Sequence, residues 1–114
     1  MEKMQLGIFE TYRRLYDDAY LKALAGVKYL YEQGAGKVFL FGSIVKPELF
    51  MGDSDIDIAV EGLPEGKSLT VEAGLIDILH PYDFDLVVLD SKDVIAREEI
   101  IEAVKRDGKC IEKF

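Results

Sequence analysis

An α/β (α+β) domain, a small mixed β-sheet with helices packed on it, is the fold class predicted by the sequence, and three observations predict it. Segments with helical spacing alternate with apolar β-forming runs, in the order helix, strand, helix, strand, helix, strand, helix. The strand candidates are short and bounded by glycine, proline or aspartate. Two of them also carry Asp-x-Asp, Asp55 with Asp57 and Asp83 with Asp85. With 114 residues the chain fits a single domain, 1–114, that has a modest core.

The first 33 residues contain no proline and read as helix, in one piece or in two if Asp17-Asp18 opens a second. Leu6, Phe9, Tyr12 or Arg13, Tyr16, Tyr20, Leu24, Val27 and Tyr31 recur at three- and four-residue spacing and draw an apolar, aromatic stripe. Packing onto the sheet explains its second half. The tyrosines of its first half, Tyr12, Tyr16 and Tyr20, offer either further packing or a partner surface, for a homodimer or a hetero-oligomer. Gly34 and Gly36 end this N-terminal helical segment, 1–34.

Lys37 to Phe41 is a continuous apolar run, as in a strand covered on both faces. After Gly42-Ser43 a short helix is limited by Pro47, and Asp55 to Val60 forms the second strand. Glu61 to Gly66 is a loop. Ser68 to Leu79 is helical through Leu69, Ala73, Ile76 and Leu79, with Ser68 or Thr70 as cap, and His80-Pro81 ends it. His80 reads as a cap or surface residue. Tyr82 to Leu89 is the third strand, with Asp83 and Asp85 on one face and Asp85 deeper in the apolar run. Ser91 to Arg106 is the last helix, burying Val94, Ile95, Ile100, Ile101 and Val104, and Lys109 to Phe114 is a tail.

The net charge of −8 and a pI near 4.6 disfavour direct binding to nucleic acid phosphate. A single cysteine, Cys110, rules out an intramolecular disulfide. No apolar run is long enough to span a membrane and no signal-peptide layout opens the chain, so a cytoplasmic location is expected.

The chemistry concentrates in Phe39 to Val60. Alternation along a strand puts Asp55 and Asp57 on one face and Ile56, Ile58 and Val60 on the other. Adjacent carboxylates repel unless a proton or cation lies between them, and Mg²⁺ suits their hard oxygens. Gly42-Ser43 lets backbone N–H groups approach a phosphate and adds a hydroxyl. Asp53, in a turn, reads as a backbone cap, and Lys28, Lys37 and Lys67 as solvated charges.

LFGS followed by SDIDIAV resembles the DNA polymerase β-type nucleotidyltransferase superfamily, whose signature is Gly-Ser, roughly ten residues, then Asp-x-Asp and a later aspartate. The chain is most similar to the minimal nucleotidyltransferases (MNT), antitoxins paired with HEPN-domain toxins. The resemblance implies a catalytic core over 37–114 that moves AMP from ATP, with two Mg²⁺ ions, to a partner's hydroxyl, typically a tyrosine. It also implies that Asp55, Asp57 and Asp85 are the catalytic metal ligands, with Asp83 as the alternative to Asp85. Gly42 and Ser43 would hold the β- and γ-phosphates. Many relatives place an arginine-rich turn after Gly-Ser. Here Ile44-Val45-Lys46-Pro47 stands there, leaving Lys46 as a point charge for the nucleotide.

With little chain left for an acceptor-binding domain, the acceptor is expected to come with a separate partner, an HEPN-type toxin encoded nearby. Two other readings stand beside this one. The chain could neutralise its partner by binding alone, through Tyr12, Tyr16 and Tyr20 or the tail, or it could modify a small molecule at a site between subunits.

Overall fold

The computed structural model describes residues 2–51, 53–90 and 97–113, with side chains from Arg13 onward except that of Arg97. The first segment is one continuous helix, α1 (Glu2–Glu32), with no second start at Asp17-Asp18. Its buried ridge is Ala19, Ala23, Val27, Leu30 and Tyr31, while Tyr16 and Tyr20 are packed against the core at its edge. The small alanines let the helix lie close, which moves the ridge by about one position from the aromatic stripe. The side chains of Leu6, Phe9 and Tyr12 lie outside the described residues.

Strand β1 (Lys37–Phe41) ends at Gly42, and two 3₁₀ turns follow, Gly42–Val45 and Pro47–Leu49. The expected short helix takes the form of these two 3₁₀ turns, with the second opening at Pro47. Strand β2 (Ile56–Glu61) begins one residue after Asp55. Helix α2 (Ser68–Leu79) has its predicted bounds, with Lys67 at the cap position and no capping bond from a side chain. Strand β3 (Phe84–Val88) is shorter than the expected run and excludes Asp83.

Helix α3 (Arg97–Asp107) buries Val104 and half-buries Ile100 and Ile101. Ser91, Val94 and Ile95, expected to begin that helix, lie outside the described residues. The tail is not wholly irregular: Lys109–Ile111 forms a fourth strand, β4.

The sheet order is β3-β2-β1-β4. β1 runs antiparallel to β2 and β4, while β2 and β3 are parallel and joined through α2. Val38, Leu40, Ile56, Ile58 and Val60 point into one core cluster with α1 and α2. The Tyr31 hydroxyl ties three elements together there, donating to the Ile111 carbonyl at 2.5 Å and accepting from the Val38 N–H at 3.2 Å.

Helix α2 turns a different face inward from the one predicted. Val71, Leu75 and Leu79 are fully buried, whereas Leu69 and Ile76 are 81% and 59% exposed and Ala73 is exposed. Close approach of α1 sets this rotation. The Tyr29 ring lies where a Cβ on Gly74 would be, and its hydroxyl donates to the Thr70 carbonyl at 3.2 Å.

Leu75→Ala should therefore destabilise the protein by about 2–5 kcal/mol. Leu69→Ala should change stability by less than about 0.5 kcal/mol. Urea denaturation of the two variants reads both values, and equal costs would contradict the rotation of α2 described here.

Candidate active site

The site sits where β1 ends and β2 and β3 begin. Parallel pairing sets Asp57 opposite Asp85, and antiparallel pairing sets Asp57 opposite Phe41, the residue before Gly42. One residue on β2 thus faces the glycine turn on one side and an aspartate on the other. Asp55 precedes β2 on the same side of the chain as Asp57.

Gly42 has φ +73°, and a Cβ built on it would collide with Asp57 Oδ2. Both observations require glycine, so the backbone of the Gly42-Ser43 turn lies directly against the carboxyl group. Burial pushes the Asp57 carboxyl up to about 6, with the negative charges of Asp85 and Asp55 and a hydrogen bond to Asp85 adding to it. A hydrogen bond between two carboxyl groups needs a proton between them.

Asp57 is half-buried, while Asp55, Asp83 and Asp85 are exposed. Asp85 lies within β3, deeper in the run than Asp83 as expected, and its side chain is exposed beside Asp57. No three acidic or imidazole side chains among the described residues are spaced as a finished metal cage. The donor chemistry nonetheless fits a hard divalent cation, since carboxylate oxygens held this close together offer a cation the place where their charges meet.

Ser43 is half-buried, and its carbonyl accepts the Lys46 N–H at 3.0 Å, closing the turn. Lys46 is half-buried and forms no ion pair among the described residues. Asp53 is exposed in the following turn, where the nearby Met51 N–H is taken by Ser54 Oγ at 2.8 Å.

Sequence reasoning missed the brace that α1 provides for both loops. The Tyr16 hydroxyl donates to the carbonyl of buried Ile44 at 2.7 Å, one residue beyond Ser43. Phe50, 5% exposed, is the hub: its ring meets Tyr16 at 5.6 Å and Tyr82 at 6.4 Å, both edge-on. Tyr20 stacks on Tyr16 at 5.9 Å. Of the tyrosines that offered either packing or a partner surface, Tyr16 is turned onto the site's own loop and Tyr20 stacks on Tyr16.

On the other side of the site, the Tyr82 hydroxyl donates to Asp18 Oδ2 at 2.8 Å and reaches the Leu15 carbonyl at 3.2 Å. Burial and this bond push the hydroxyl up to about 12, so it stays protonated. Lys22 donates to the His80 carbonyl at 2.5 Å and lies 5.5 Å from the centre of the Tyr82 ring. His80 itself is exposed. The only advance signal for the brace was the four-residue spacing of Tyr16 and Tyr20.

Beyond Asp85 a cleft of about 390 Å³ opens, lined by Asp55, Asp85, Ile76, His80, Tyr82 and Phe84 among others. Carboxyls crowded against a glycine turn at one end of a small mixed sheet, with a cleft alongside, form an arrangement suited to phosphate-group transfer.

Comparison with known proteins agrees with that class. The family described as "Polymerase beta, Nucleotidyltransferase" matches residues 27–111, and the chain belongs to it. Its enzymatic activity is nucleotidyl transfer. No curated protein sequence matches the chain.

Among solved structures, a chain of a toxin–antitoxin complex with AMP-PNP is 24% identical with a TM-score of 0.59, covering 83% of this chain and 73% of its own. A chain of the complex between a tri-AMPylated Shewanella oneidensis HEPN toxin and its MNT antitoxin is 25% identical at TM-score 0.58, covering 82% and 71%. A chain of a mutant MntA-HpeT toxin–antitoxin is 22% identical at 0.59, covering 83% and 73%. The resemblance to minimal nucleotidyltransferases thus meets the same fold in three toxin–antitoxin complexes. Tyr16, Asp18 and Lys22 precede the part of the chain that the family matches.

Two measurements test this geometry. Because the folded-state value of Asp57 is raised, its ionisation costs stability as pH climbs from about 4 through about 6, and the full cost remains above that. Asp57→Asn should stabilise the metal-free protein at pH 8 by about 1 kcal/mol, allowing for solvent screening of a half-exposed group, and should give no gain below pH 4. Thermal denaturation in chelator reads the difference, and a pH-independent effect would contradict the crowding. Tyr16→Phe keeps the ring stack but removes the bond to Ile44, so it should cost about 0.5–1.5 kcal/mol. It should also raise the KM for nucleotide; an unchanged KM would show that the hydroxyl does not hold the turn.

Proposed function

We propose that the chain transfers AMP from ATP to a tyrosine hydroxyl of a separate HEPN-type toxin and thereby acts as its antitoxin, in the cytoplasm. The observation that carries this reading is the crowding of Asp57 with Asp85 and Asp55 against the Gly42-Ser43 turn. Three similar folds from toxin–antitoxin complexes, one holding AMP-PNP and one an AMPylated toxin, support it.

In this reading Gly42 and Ser43 take the β- and γ-phosphates, and Lys46 adds one positive charge near them. Asp55, Asp57 and Asp85 would hold Mg²⁺, two ions in the full site, which supplies charge neutralisation at the triphosphate and lowers the pKa of the attacking hydroxyl. Asp85, on the outer side of Asp57, takes the hydroxyl proton. The hydroxyl oxygen then bonds to the α-phosphorus, the α–β anhydride bond breaks, and pyrophosphate leaves. The glycine turn fixes the triphosphate so that attack and departure are in line.

The test is incubation of the purified protein with ATP, Mg²⁺ and the HEPN-type product of the neighbouring gene, followed by intact mass of both chains. One or more AMP units should appear on the partner. Asp55→Asn with Asp57→Asn, or chelation of the metal, should slow their appearance by at least about 10²-fold. Suppressed toxicity and a stable complex without any mass gain would replace this reading with neutralisation by binding. The departure at Ile44-Val45-Lys46-Pro47 from the arginine-rich turn of relatives is the feature that favours that second reading.

A further inference from the structure

Helix α2 is apolar on two sides, and only one is covered. Val71, Leu75 and Leu79 are buried in the core. Leu69, Ala73, Ile76 and His80 follow one another at spacings of four, three and four residues, so they form a single stripe on the outer side of the helix and the turn after it. All four are exposed, Leu69 at 81% and Ile76 at 59%. Glu72 and Asp77, both exposed, border the stripe.

The stripe is continuous with the site. Its last two members, Ile76 and His80, line the cleft of about 390 Å³ that also contains Asp55 and Asp85. Sheet order makes this the side away from the phosphate turn: β3, with Asp85, and β1, which leads into Gly42, flank β2 on opposite edges. A nucleotide held at Gly42-Ser43 therefore leaves the β3 side open to a second reactant.

We infer that the cleft between the end of α2 and the start of β3 receives the acceptor hydroxyl, and that the Leu69–Ala73–Ile76 stripe docks the protein carrying it. The inference rests on the transferase reading above and adds where the acceptor binds. The occupant is a protein segment that presents apolar side chains to the stripe and basic ones to Glu72 and Asp77. A nucleic acid does not fit, because the cleft and its border bring Asp55, Asp77, Asp83 and Asp85 toward its phosphates. The cleft's apolar walls, Ile76, Pro81 and Phe84, suit a phenol ring whose hydroxyl points at Asp85.

The test uses the full chain with the neighbouring gene's HEPN-type product, and compares the parent with a Leu69→Ser/Ala73→Glu variant, whose two positions lie on the stripe outside the cleft lining, and with Leu21→Glu. Leu21 is 67% exposed on α1, a different helix from the stripe, is not among the cleft's lining residues, and serves as control. Rates of AMP transfer are measured against partner concentration, affinity for Mg²⁺ and AMP-PNP by calorimetry, and complex formation by size-exclusion chromatography.

The double variant should raise the KM for the partner at least about tenfold. Its kcat, nucleotide affinity and melting temperature should match the parent, and Leu21→Glu should change nothing. An unchanged KM, or an equal loss in Leu21→Glu, overturns the inference while leaving the transferase reading in place. A parent that transfers no AMP but forms a complex lost only in the double variant overturns the transferase reading and leaves the docking surface standing. Neither transfer nor complex overturns both, and RNA binding abolished by the double variant reassigns the stripe to a nucleic acid.

Discussion

The parallel pairing of β2 with β3 is the constraint on which the site depends, because it sets Asp57 directly opposite Asp85. Strands in register have no freedom to move two such side chains apart, and Asp55 adds a third negative charge. The glycine turn closes the remaining side, since nothing larger than hydrogen fits between Gly42 and the Asp57 carboxyl. Repulsion that would be relieved by a small local shift in a loop is instead held by a sheet with a hydrophobic core beneath it. A cation bound between these carboxylates relieves the repulsion among them, so the crowding that costs stability favours its binding.

A small sheet alone would not hold the two loops around those carboxyls, and α1 supplies the missing rigidity. Its inner surface uses alanines to bring the helix close, and its edge uses tyrosines to reach the loops. Phe50 connects the two anchors, so a shift of the Gly42–Val45 turn would disturb Tyr82 and with it the approach to β3. The contacts that reach the Gly42–Val45 turn are between aromatic rings or from a hydroxyl to a backbone carbonyl. They do not compete with the carboxylates for cations, so the brace adds rigidity without changing the chemistry of the site.

Much of the fold was legible, because period-two and period-3.6 patterns arise from geometry that every residue obeys. Alternation alone set Asp55 with Asp57 and Asp83 with Asp85, but it says nothing of register, so the meeting of Asp57 with Asp85 had to come from the strand pairing. β4 escaped notice because Lys109–Ile111 is too short to show a pattern and is defined by its partner, β1. The tyrosines of α1 looked like surface because their partner, Phe50, stands in a turn-like segment with no periodicity to mark it as core. On α2 two apolar ridges compete, and periodicity cannot rank them. Gly74 and the ring of Tyr29 decide the matter, since only a residue without a side chain admits that ring.

The choice made at Gly74 has a consequence beyond packing. Had α2 buried Leu69, Ala73 and Ile76, the exposed side of the helix would carry Val71, Leu75 and Ile78, and an apolar surface would remain in either rotation. The composition of α2 therefore demands two coverings, and the domain supplies one. The net charge of −8, and Glu72 and Asp77 beside the ridge, disfavour a second copy of the chain as its covering. The same charges attract a basic surface, so they bear on what can cover α2.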